Sequence, residues 1–331
     1  GCKFTNRLSD ALADGTFQFS YKKVCQHYGV PASTASVSEI MRRRIQYRES
    51  LLPPVRTPHI ISVVEVVFFG ERYPAVLGVW DGEVYCLDIL RDSSEETCGA
   101  FLKTLNANQV ETIYVDPVDS LFNAVNQYFP MASIVVTDEA IRRYARNAML
   151  DIIHSDGKRF PVVHKDRRLT VLHRDLDDRT VIPRIKEGMK SRPRLQQAYT
   201  HHQRLLELME TKWSMEDLRT WADQIPAEVD EFWAVGDIID IFGEQLSGFL
   251  ILGEKPPKNY QFAVQGICDA IKDMPHCIFD VMRGRCIFSI THDTMEENGE
   301  LWRYGIKSSR LIEKINEISA NIREERDYGY Q

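Results

Sequence analysis

No run of apolar residues in this 331-residue chain approaches the roughly 18 that a membrane-spanning helix requires. A membrane protein is therefore not expected. The first residues, Cys2-Lys3-Phe4-Thr5-Asn6-Arg7, lack the apolar stretch and small-residue cleavage site of a secretory signal, so the expected location is cytoplasmic. There is no Cys-x-x-Cys pair, and the seven cysteines are odd in number, which argues against a disulfide framework and fits a reducing compartment. Cys268, Cys277 and Cys286 with His276 lie too far apart for the paired spacing of zinc ligands and read as buried thiols instead. Low-complexity tracts and internal repeats are absent. What is present is ordinary globular composition, 44% hydrophobic and 27% charged, in a chain long enough for one large domain plus an appendage.

Positive charge is not in excess either. With 41 Lys and Arg against 48 Asp and Glu, the net charge is −7, the opposite of the usual nucleic-acid footprint. Its distribution is uneven, however. Between Lys158 and Arg194 lie twelve basic residues, Arg167 and Arg168 among them, against five acids. Such a stretch can hold phosphates by counterion release, or it can be the solvated face of a charged loop.

Residues 1–50 read as helical. Phe4, Leu8 and Leu12 share a face, and Asp14-Gly15 predicts a break. A short helix from about Phe19, a turn at Gly29 and a Ser/Thr cap at Ser33-Thr34 then give a helix-turn-helix pattern. Val24 and Val30 are placed to pack the two helices, while Ser33, Thr34, Ser36 and Val37 near the start of the second face outward, where such a helix meets DNA. Arg42, Arg43 and Arg44 follow as candidate phosphate contacts. Helix pairs with a glycine turn also occur in proteins that never touch DNA.

Prolines at 53, 54 and 58 make residues 51–58 an extended linker. Beyond it, residues 60–69 form a β-branched, aromatic strand, and residues 73–80 and 83–90 a hairpin around Asp81-Gly82. A capped helix from Ser94, a strand over 112–115, a helix over 120–128, a strand over 133–137 and a helix from Asp138 come next. Three antiparallel strands followed by alternating helix and strand is the order of an RNase H-like core. The predicted fold is thus α/β, an RNase H-like mixed sheet flanked by helices, with a large all-α insertion and an N-terminal helix-turn-helix. The expected divisions are 1–50, the linker 51–58, the core 59–155, a basic segment and helical insertion over 156–258, and a return to the core with C-terminal helices over 259–331. Within the insertion, Leu195, Ala198, Tyr199, Leu205, Leu206 and Met209 keep helical register, and Trp213, Trp221, Phe232 and Trp233 are expected in its core. Leu311, Ile315, Ile318 and Ile322 mark the apolar face of a last helix.

Two of the strands end in acids, Thr112-Ile113-Tyr114-Val115-Asp116 and Ile134-Val135-Val136-Thr137-Asp138. Strand-end carboxylates are how nucleic-acid-cutting enzymes hold a pair of divalent cations. With the order of elements, five segments resemble the ISL3 family of insertion-sequence DDE transposases. They are Cys2 to Leu8, Glu65 to Tyr73, Thr137 to Asp151, Gln265-Gly266-Ile267 with Ile271-Lys272, and Phe279 to Arg285. The resemblance implies an Asp, Asp, Glu trio holding two Mg2+ ions, double-stranded DNA as partner, and a homodimer on two DNA ends. It puts the first Asp at Val64, the second at Asp116 and the Glu at Gln265, so two of the three catalytic acids are replaced. It also puts Ala140 and Ile141 where the family has an aromatic residue and a His, and Cys268 where it has an Asn.

Neighbouring acids substitute poorly. Glu65 points to the opposite face of the strand from Val64, and Asp269 lies about one 5.4 Å turn from Gln265. Asp138 could assist Asp116, so a weak single-ion Mg2+ site at Asp116 and Asp138 is the most expected. Cys2 falls at the last ligand of the family's zinc ribbon and no other ligand is present, so no zinc is expected in this chain; whether a ribbon precedes Gly1 is left open. Three functions follow: a DNA-binding, catalytically impaired transposase relative, in which Lys272 joins the candidate DNA contacts; an active transposase with unconventional acidic ligands; or a non-enzymatic protein-binding scaffold.

Overall fold

The computed structural model describes residues 5–31, 34–157, 167–172, 175–176, 181–251, 256 and 259–328. The described residues fall into two compact units, 1–134 with 255–331, and 135–254.

The first unit opens with α1 (Asn6–Gln18), α2 (Tyr21–His27) and α3 (Thr34–Ser50). Ser20 caps α2 by accepting the Lys23 N–H, and Gly29 turns the chain after α2 at φ +63°, a conformation glycine adopts without steric cost. The break expected at Asp14-Gly15 does not occur; α1 runs through it. Gly15 serves packing instead, since a Cβ there would stand 2.9 Å from Cγ1 of Val24 on α2. Asp14 is held by Arg44 and Arg48 of α3 rather than by a turn.

Strands β1 (Ile60–Phe68), β2 (Glu71–Trp80) and β3 (Glu83–Ile89) form an antiparallel meander, followed by α4 (Glu95–Leu102), β4 (Thr112–Val115), α5 (Asp119–Tyr128) and β5 (Ser133–Val135). β4 pairs parallel to β1, with Ile60 opposite Thr112 and Val63 opposite Val115. β1 is buried along nearly its whole length, as its continuous run of apolar residues requires.

The second unit is helical: α6 (Asp138–Gly157), α7 (Val181–Met189), α8 (Pro193–Met209), α9 (Met215–Asp223), α10 (Trp233–Ile241) and α11 (Gly243–Ile251). Trp213, Trp221 and Phe232 are buried in it as expected, but Trp233 is 53% exposed. Successive helical residues differ by about 100° around the axis, so Phe232 and Trp233 cannot both face the core.

The chain then returns to the first unit through α12 (Tyr260–Lys272), α13 (Phe279–Arg283), a π-helical turn over Gly284–Phe288, β6 (Asp293–Glu297), β7 (Glu300–Lys307) and α14 (Ser308–Tyr328). The sheet order is β5-β4-β1-β2-β3-β7-β6. Its first five members are the RNase H-like core, and the β6–β7 hairpin extends the β3 edge. Leu311, Ile315, Ile318 and Ile322 of α14 are buried. Leu51 and Leu52 turn the chain out of α3, and residues 53–58 are extended, as their prolines demand, but are fastened to β7. The Arg56 N–H donates to the Arg303 carbonyl at 2.9 Å, and the Arg303 guanidinium donates to the carbonyls of Pro53 and Leu87, each at 3.0 Å.

In the second unit the adjacent His201 and His202 are buried, and neither ring has a hydrogen-bonding partner among the described residues. His201 stacks on Trp221 with centroids 4.4 Å apart. Burial holds their pKa values down, from 6.5 to about 4 for His201 and about 3 for His202. A histidine depressed in the folded state contributes stability above its unfolded pKa and loses it as pH falls toward the folded value. Melting of this unit, followed by tryptophan fluorescence, is therefore expected to be insensitive to pH above about 7 and to drop steadily below 6.5. His202→Met is expected to flatten the acid limb of that profile.

Candidate active site

α12 covers the face of β1 that carries Ser62 and Val64. The hydroxyls of Tyr260 and Ser62 are hydrogen-bonded, the Tyr260 ring lies 5.1 Å from that of Tyr114, and the Cys268 thiol approaches the Glu65 carbonyl at 4.0 Å. By alternation along the strands, Ser62, Val64, Tyr114 and Asp116 share that face. Gln265 is half-buried on the stretch of α12 between the contacts made by Tyr260 and Cys268. The three positions of the presumed trio thus lie beside the middle of β1, where β4 ends. Asp269, one turn on, is exposed.

Asp116 is 2% exposed. Its N–H donates to the Val63 carbonyl at 3.0 Å, continuing the parallel ladder one step past β4, and its carboxylate accepts the Glu65 N–H at 2.6 Å. The Glu65 carboxylate lies on the opposite face, as alternation requires, and is 8% exposed. Arg72 donates to it at 2.9 Å and Ser93 at 3.3 Å. These partners were not anticipated from sequence. The available signal was weak: Arg72 pairs with Val67 across the β1–β2 hairpin and so shares a face with Glu65.

A pair of hard cations wants several anionic oxygens. Val64 offers none, Gln265 offers a neutral amide, and Glu65 is engaged elsewhere by a cation. The donor set at this strand end does not fit two divalent ions. Asp138 is the first residue of α6, in the second unit, with the Arg142 guanidinium 3.9 Å away. Ala140 and Ile141 are packed in that unit's interior. Among the described residues no three His, Cys, Asp or Glu side chains are grouped to hold a metal.

The candidate DNA contacts are divided. Arg44 turns inward to Asp14 and Asp10, and hydrogen bonding from Asp14 raises the guanidinium pKa. Arg42 and Arg43 are exposed but share Glu39, at 2.8 and 2.6 Å, and their hydrogen bonds hold the Glu39 carboxyl below its usual range. Lys272 is exposed at the end of α12. Ser33 lies outside the described residues, and Thr34 and Ser36 open α3. Arg167 and Arg168 start a short 3-10 turn. Of the basic stretch around them, residues 158–166 are outside the described residues. Further along it, Lys190 is paired with Glu187 at 2.6 Å and Arg194 with Glu231 at 2.6 Å.

An RNase H-like sheet with an acid at the end of β4 is the scaffold of enzymes that cut and join nucleic acid strands. More narrowly, residues 69–245, just over half of the chain, match the family model of ISL3-type DDE transposases, and the chain belongs to that family. This places it among proteins of DNA transposition. The matched segment includes Asp116 and Asp138 and leaves Val64 and Gln265 outside. No curated protein matches the chain. No helix among the described residues is long and apolar enough to cross a membrane.

The buried Asp116 bridge has a measurable consequence. Asp116→Ala strands the Glu65 N–H without its acceptor and is expected to cost about 1–3 kcal/mol, read by urea denaturation; Asp116→Asn, which retains an oxygen, should cost less. A carboxylate kept only for cations would show the reverse sign, because removing a repelling charge from an ion-free site stabilises the fold.

Proposed function

We propose that this chain is a cytoplasmic, double-stranded-DNA-binding member of the transposase family, acting as a homodimer, whose own strand-transfer chemistry is impaired. The observation that carries the reading is the donor set at the end of β4. A valine and an amide stand where two anionic ligands are needed, and the surviving Asp116 accepts a backbone N–H. Any Mg2+ held by Asp116 would be weakly bound. The alternative of an active enzyme with unconventional ligands would draw a further carboxylate from Glu65, which is engaged by Arg72 and Ser93, or from Asp269, which is exposed one helical turn beyond Gln265.

DNA binding rests on the family, on the α2, Gly29 and α3 arrangement read as a helix-turn-helix, and on the cations of α3. The first turn of α3, with Thr34 and Ser36, would meet base edges, and Arg42 and Arg43 the phosphates. Arg167, Arg168 and Lys272 are further phosphate contacts in this reading. Because Glu39 pairs with both exposed arginines of α3 and offsets one of their two charges, Glu39→Gln is expected to tighten duplex binding and steepen its salt dependence. Arg42→Ala with Arg43→Ala should weaken binding and reduce that slope, both read by fluorescence anisotropy across a salt series.

Restoring the two acids tests the impairment. Val64→Asp with Gln265→Glu is expected to bind Mn2+ at least tenfold more tightly than the natural chain by calorimetry, with a cation-dependent rise in melting temperature that the natural chain lacks, about tenfold in affinity corresponding to ~1.4 kcal/mol. Tight binding of two Mn2+ by the natural chain would overturn the reading. So would Mg2+-dependent duplex cleavage that disappears in Asp116→Ala.

A further inference from the structure

Three two-residue hairpin turns occur in the sheet of the first unit, and all three have positive φ at both positions. They are Asp81-Gly82 (φ 51° and 77°), Asn298-Gly299 (55° and 81°) and Phe69-Gly70 (54° and 87°). Asp and Asn tolerate the left-handed conformation because their short polar side chains bond locally, and they are what such turns favour. Phenylalanine has no such compensation. At the β1–β2 tip the chain therefore holds an aromatic residue in a conformation that disfavours it, and leaves it 67% exposed to water. Neither turn geometry nor core packing accounts for Phe69.

The surroundings of Phe69 suit a flat ligand. His276, itself exposed, lies against one side of the ring with centroids 3.6 Å apart. The same hairpin and segment carry a second aromatic pair, Tyr73 stacked on Phe279 at 4.9 Å, with the Arg91 guanidinium 4.9 Å from the Phe279 ring. Phe69 is the first turn residue after β1 and follows Val64 by five residues, a reach of at most about 17 Å at ~3.3 Å per residue. That is about five base steps of a DNA strand lying along the hairpin, at ~3.4 Å per step.

We infer that Phe69 is a stacking platform for an unpaired nucleobase of DNA bound beside Val64 and Asp116. The inference rests on the DNA-binding reading above. Stacking on an aromatic face is tolerant of sequence, so the site would select unpaired bases over paired ones rather than one base over another.

The test uses the full chain and two probes of equal length, a blunt duplex and the same duplex with a four-nucleotide bulge, at one salt concentration. The natural chain is expected to favour the bulged probe by about tenfold. Phe69→Asn, which suits the turn and removes the ring, should lose that preference, keep its duplex affinity and melt no lower than the natural chain, while Phe69→Trp should retain the preference. Equal preference in Phe69→Asn and the natural chain would overturn the inference and leave the DNA-binding reading standing. Absence of binding to either probe would overturn both. Self-association of the natural chain that Phe69→Asn abolishes, without any bulge preference, would assign the ring to a second copy of the chain and overturn the nucleobase assignment.

Discussion

The carboxylate of Asp116 ties the end of β4 to the middle of the parallel strand β1 by accepting the amide proton of Glu65, and the chemistry available at this site follows from that bond. A charged acceptor on a backbone N–H, almost wholly withdrawn from water, is among the stronger hydrogen bonds a fold can make. It positions Val64 and Glu65 on opposite faces: Val64 toward α12, where it supplies no oxygen, and Glu65 toward Arg72, where its charge is already matched. The acid at the end of β4 thus also holds the sheet of the family scaffold together.

Arginines are treated in the same way elsewhere. Arg44 and Arg48 join α3 to α1 through Asp14, Arg283 is clamped by Asp88 and Glu49, and Arg303 donates to three separate segments through Pro53, Leu87 and His292. Arg285 reaches back from the π-helical turn to the carbonyls of Thr16 and Phe19, and so fixes the N-terminal helices to the core. Guanidinium suits this work because its planar fork satisfies several carbonyls at once. Exposed arginines remain among the described residues, and only these are placed to meet phosphates. Those of α3 that remain exposed, Arg42 and Arg43, are gated by a single carboxylate.

Much of the architecture was legible in the residues. The runs of β-branched residues, the Asp81-Gly82 turn and the cap at Ser94 located the core strands and α4, and the order of elements fixed the fold class. The β6–β7 hairpin was overlooked although Asn298-Gly299 is as strong a turn signal as a sequence carries, because its strands, mostly polar, do not alternate as buried ones do. Gly15 misled in the other direction. A glycine inside a helix reads as a break until the neighbour that needs its missing side chain, Val24, is in place.

By itself the sequence determined which chemical groups exist at the site, since no packing can give Val64 a carboxylate or Gln265 a charge, and alternation along β1 already turned Glu65 away. Which groups were engaged was decided only by the tertiary structure. The partners of Asp116 and Arg44, and Ser93 for Glu65, come from segments 51, 30 and 28 residues distant in the chain, and no local pattern encodes them; only Arg72, seven residues from Glu65 across the hairpin, lies within local reach. Short-range periodicity fixes the face on which a side chain emerges. Whether the charge on that face is available for DNA or a cation depends on the long-range neighbours that folding brings against it.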